Sequence, residues 1–114
     1  MTIELTDPSK RYEMKHPSGA AFVMRHWTNG MQDDLERRYL ALGEAMKTVN
    51  AIALEREVKL ELALEGWSGV TSDGQEVPCT PENKKMLPVG VILWIVQEID
   101  ERAGLRLTLA EKKI

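Results

Sequence analysis

Residues 66–83, G-W-S-G-V-T-S-D-G-Q-E-V-P-C-T-P-E-N, force the chain to change direction. A charged, helix-favouring run ends at Gly66, Trp67 follows, and Ser68-Gly69 supplies a turn. Asp73-Gly74 is the signature of a two-residue type I′ hairpin, whose central residues both need positive φ. Thr80-Pro81-Glu82-Asn83 reads as a helix start. Thr80 is its N-cap, and Pro81 takes the first helical position, where a missing N–H costs nothing. The stretch is expected to be a structural corner made by Trp67, Gly69, Asp73, Gly74, Thr80 and Pro81. It ends one helix and begins the next, and Trp67 pins the two together.

Upstream, residues 2–27 read as short strands. Residues 2–5 alternate around Ile3 and Leu5, and residues 11–15 around Tyr12 and Met14, while residues 20–25 carry Phe22, Val23 and Met24. The turns between them, Asp7-Pro8-Ser9-Lys10 and His16-Pro17-Ser18-Gly19, share one design, with proline presetting φ at the second position. A hairpin or meander this small is marginal alone and must lean on helices. Thr28 or Asn29 then caps a helical block, with Asp33 and Asp34 placed against its dipole.

Leu35, Tyr39, Leu42, Met46, Val49 and Ala53 repeat at alternate spacings of four and three, the stripe of a helix packed along one neighbour. Residues 58–64 alternate as a strand would, but Leu, Glu, Ala and Lys dominate there and favour helix. A single helix over 31–65 would be about 50 Å long. Either it breaks near 43–50 or it projects toward a partner. Further helices are expected over 81–87, stopped by Pro88, and over 88–103, closed by Gly104. The last carries Val89, Ile92, Leu93, Val96, Ile99 and Ala103 on one face. Val91, Trp94 and Ile95 fall outside that stripe. They are either covered by the hairpin and first helix or form a partner-binding patch. The fold class implied is mainly α with a small N-terminal β-hairpin or meander, an α+β arrangement. Residues 1–104 are expected to form one domain, and 105–114 a tail that is an edge strand or a flexible end.

Composition narrows the function. With 114 residues, 43% apolar and 29% charged, the chain suits one modest core. Its longest apolar run is too short to span a bilayer, and the first residues lack the pattern of an export signal. A single cysteine, Cys79, forms no internal disulfide and fits a reducing cytoplasm. A net charge of −3 with interspersed signs argues against nucleic acid as the main partner, and the doublets Arg25-His26, Arg37-Arg38 and Lys84-Lys85 each have acids nearby.

No catalytic template fits. The chain lacks a G-x-S-x-G elbow, a phosphate-binding G-x-x-x-x-G-K-[ST] loop and an H-E-x-x-H motif. Cys79 has no histidine near it in sequence, and His16 and His26 have no partners at metal-ligand spacing. Asp73 and Glu76 lack the rest of a calcium loop. Glu57, Glu61 and Glu65 would line one helix face, yet a di-iron bundle also needs Glu-x-x-His motifs that are absent. The sequence therefore points to no catalytic residue, no cofactor and no metal.

The run G-W-S-G-V-T-S-D-G-Q-E-V-P-C-T-P-E-N-K-K-M-L resembles the tail assembly chaperones of long-tailed bacteriophages. In that family a helix ends in a Trp-x-Gly-aliphatic corner, an Asp-Gly turn and a Ser/Thr-Pro-Glu helix start follow, and a final helix closes the domain. The upstream F-V-M-R-H-W-T-N-G-M is similar to how such proteins open, so the likeness extends over residues 11–103. The resemblance implies a non-enzymatic viral protein acting in the host cytoplasm. It would bind the tape-measure protein, keep it in solution until tail-tube subunits polymerise around it, and self-associate in some members. Some members are also made as a frameshifted longer form. The residues beyond Gly104 have no counterpart in the family pattern. The competing expectation is a small phage or prophage regulatory or nucleic-acid-binding module.

Overall fold

A computed structural model describes residues 2–42 and 44–104, of which 44–51 are described by their backbone alone. The order is β1 (Arg11–Lys15), β2 (Ala21–Arg25), α1 (Asn29–Leu40), α2 (Glu44–Ala63), β3 (Leu64–Ser68), β4 (Thr71–Ser72), β5 (Gln75–Glu76), α3 (Pro81–Lys85) and α4 (Val89–Ala103). Among the described residues these make an α+β fold of four helices and two antiparallel sheets. The larger sheet runs β1-β2-β3, and the smaller is the β4-β5 hairpin.

Strand alternation sorts the larger sheet into two faces. Met14 lies opposite Phe22, Phe22 opposite Trp67, and Met24 opposite Leu64. Met14, Phe22, Met24 and Leu64 are buried, while Arg11, Glu13 and Lys15 on the other face of β1 are exposed. One apolar face thus meets α2 and α4, which supply Leu60, Ala63, Ile95 and Ile99 to the same core. An irregularity between Val23 and Met24 shifts the β2–β3 register, so Val23 faces Gly66 and Met24 faces Leu64. Glu65 is the residue left over, and its carboxylate pairs with Arg11 across the sheet.

Several expectations are corrected by this topology. β structure is not confined to the N-terminal hairpin, because a third strand returns after the helical block. Of the two readings of the 31–65 helix, the broken one holds: α1 begins at Asn29 and ends at Leu40, and α2 begins at Glu44, so the break lies at the start of the expected 43–50 stretch. Thr28 is the cap, its hydroxyl accepting from the Met31 N–H at 3.3 Å. Asp34 therefore lies beyond the first turn and pairs with Arg38 one turn later. Residues 58–63 are helical, as propensity predicts, but Leu64 already belongs to β3. Residues 2–5 form no strand, and Ile3 and Leu5 are almost fully exposed, at 95% and 94%. The tail, 105–114, lies outside the described residues.

α2 passes into β3 with no loop, which leaves its last carbonyls without helical partners. α3 answers this: Lys84 Nζ donates to the carbonyls of Leu60 at 3.1 Å and Leu64 at 2.6 Å. A cation there also complements the helix dipole. α3 ends at Lys85, two residues short of the expected stop, and Gly104 closes α4 with φ 69°.

Candidate functional site

The six corner residues keep their local roles, and one changes element. Asp73 and Gly74 have φ of 50° and 79°, and Thr71 pairs with Glu76 and Ser72 with Gln75 around them. Thr80 Oγ1 accepts from the Asn83 N–H at 3.1 Å, with Pro81 in the first turn. Gly69 has φ 75°, and a Cβ there would stand 3.1 Å from the Ala20 backbone, so both space and conformation disfavour a side chain. Trp67 is the correction. It is a residue of β3, edge-on to Phe22 at 6.4 Å, and its indole N–H donates to the Val77 carbonyl at 2.7 Å. It ties the β4-β5 hairpin to the sheet, whereas the expectation had it joining two helices.

Of the proposed contact residues, Ile95 is 0% exposed at the centre of the core. This corrects its reading as a surface contact. Trp94 is half-buried, edge-on to His16 at 4.8 Å and tilted against Phe22 at 6.1 Å, and Val91 packs against the same cluster. The hairpin therefore covers the Trp94 side of α4. The exposed apolar side is the opposite one, with Val89 at 64% and Leu93 at 45%. Ile52, on α2, is exposed as well.

These residues border a groove between α2, α3 and α4. Its main lobe, about 510 Å³, is lined by Ala53, Leu60, Val89 and Ile92, with Pro81 beside them and Arg56, Glu57, Glu61, Lys84 and Lys85 as its polar groups. A second lobe of about 340 Å³ adds Ile52, Leu93 and Val96, and Arg56 is common to both. The charges differ in how they are matched. Glu61 pairs with Arg38 of α1 at 2.5 Å. Glu55, at 2.5 Å, and Asp100 both pair with Lys59, which is 2% exposed and lies 5.9 Å from the Trp27 ring centre. The Arg56 Nε is buried and has no hydrogen-bond acceptor among the described residues.

Sequence reading could have found the Val89–Leu93 stripe, which it placed on one face of the last helix. It could not find Arg56, because an arginine between glutamates reads as solvated surface until the fold buries its Nε.

The other candidates dissolve into structure. Cys79 is partly buried, and that burial pushes its thiol above the ordinary range, against the small opposing effect of Lys84. A nucleophile needs the reverse. His16 serves the Trp94 contact and His26 lies tilted against Tyr12 at 4.8 Å. Burial raises the Tyr12 phenol, Arg102 beside its ring opposing the shift. Glu65 leaves the helix that carries Glu57 and Glu61, so the three carboxylates share no face. Among the described residues no three His, Cys, Asp or Glu gather as metal ligands, and no helix is long and apolar enough to cross a membrane. No protein-family model matches the chain, and neither a curated protein nor a solved structure matches it.

Proposed function

We propose that the protein is a non-enzymatic adaptor of bacteriophage tail assembly, binding the tape-measure protein before the tail tube encloses it. The observation that carries this reading is the open apolar groove between α2 and α4, with Val89 and Leu93 at its mouth. An amphipathic helix lays its apolar stripe into such a groove through anchors three and four residues apart. A tape measure is a long helical chain whose stripes stay exposed until tube subunits cover them. A small charged body with one such groove can shield a segment of it. The Trp-x-Gly corner, the Asp-Gly turn and the Thr-Pro-Glu helix start give the reading its family.

Co-expression tests it. A tape-measure protein from the same genome should shift from the pellet to the soluble fraction when the two are made together, and should co-purify with it. A tape measure that pellets equally with and without this chain, and is never captured, refutes the assignment.

A further inference from the structure

Every charge lining the main lobe is matched or solvated except one. Glu61 is held by Arg38, and Lys84 is spent on the carbonyls of Leu60 and Leu64 at the α2–β3 junction. Glu57 and Lys85 stand at the exposed rim. In the second lobe Glu55 and Asp100 are drawn to the buried Lys59. Of the groove's charged side chains only Arg56 has, among the described residues, a buried nitrogen without an acceptor, and it stands where the two lobes meet. A buried donor left unpaired is costly, and a guanidinium fork is shaped for a carboxylate.

We infer that the α2–α4 groove is selective for an acidic amphipathic helix, whose aliphatic ridge fills the space over Leu60, Val89 and Ile92 while a flanking carboxylate engages Arg56. This deepens the tail-assembly reading and rests on it for the identity of the natural partner. Charge complementarity decides the chemistry. Three cations, Arg56, Lys84 and Lys85, line the main lobe against two carboxylates, Glu57 and Glu61, so its surplus is positive and it favours an anionic flank. The apolar floor requires a ridge of side chains as well, which a merely acidic peptide lacks.

Two labelled helical peptides of about 16 residues serve as probes, identical in their leucine stripe and flanked by glutamate in one and lysine in the other. By fluorescence anisotropy, the glutamate peptide should bind the full chain at least about 10-fold more tightly at low salt, with the gap narrowing as salt rises. Arg56→Gln should shrink that gap several-fold. Leu93→Ser, at an exposed position, should weaken both peptides with the circular dichroism spectrum unchanged.

Equal affinity for the two peptides overturns the proposal, as does a gap that Arg56→Gln leaves intact. So does failure of both to bind because a second copy already fills the groove, seen as a dimer that Leu93→Ser dissociates. The two readings fail separately. Selective peptide binding without rescue of the tape measure removes the tail assignment and keeps the groove. Rescue that is indifferent to Arg56 removes the groove and keeps the assignment.

Discussion

At the scale of single residues, the most constrained side chain is Lys59. It is 2% exposed, paired with Asp100 of α4 and Glu55 of its own helix, and set beneath the Trp27 ring. The Trp27 indole in turn donates to Gln32 of α1 at 2.9 Å, so the ammonium joins three helices through one network. Replacing a whole buried ion pair by apolar groups is often harmless, whereas removing one member strands the other. Lys59→Met should therefore cost about 3 kcal/mol, because the buried ammonium that Asp100 and Glu55 share is lost from the network. The double variant Lys59→Met/Asp100→Leu should recover much of that loss. Urea denaturation of the four species measures the coupling, and two single losses that simply add would show the pair to be independent. Nothing in a Glu-Arg-Glu-Val-Lys run signals that the fifth residue turns inward, since the carboxylate that holds it comes from 41 positions away.

At the scale of elements, local chemistry was readable and long-range pairing was not. The Asp73-Gly74 turn, the Thr80 cap and the Gly104 helix end depend on residues within four positions of one another, the two N-terminal strands pair across one short turn, and each follows from side-chain type. β3 does not. Its residues, L-E-G-W-S, carry no strand-favouring run, and they become a strand because β2 offers an open edge and the Trp67 ring completes the apolar face. The cost of ending a 20-residue helix directly in a strand falls on the carbonyls of its last turn and of the junction, and Lys84 meets it from α3 at Leu60 and Leu64. Lys84→Met keeps the aliphatic stem and removes the donor. Loss of a charged donor to two backbone carbonyls should destabilise the fold by about 1–2 kcal/mol. Amide hydrogen exchange should rise first in the last turn of α2 and in β3. Uniform acceleration across the chain, with those amides no faster than the rest, would contradict the capping role.

For the whole molecule, the decisive fact is which side of α4 the sheet covers. Sequence periodicity identified a helix apolar over most of its circumference, and could not say which arc the hairpin takes. The sheet takes the arc of Trp94 and Ile95, where His16 and Phe22 wait, and leaves Val89 and Leu93 beside α2 at the groove. Substitution separates the two arcs. Ile95→Asp buries an unpaired carboxylate at a fully enclosed position and should cost more than about 4 kcal/mol, enough to unfold a marginal domain. Leu93→Asp and Val89→Asp sit at positions that keep 45% and 64% of their surface, so each should alter stability by less than about 1 kcal/mol. Their effect should fall on partner capture instead. A thermal melt paired with a pull-down of the co-expressed tape measure reads both quantities on the same samples. A folded Ile95→Asp that still melts cooperatively, or a Leu93→Asp that unfolds, would mean that the sheet covers the other arc of the helix and that the groove is core.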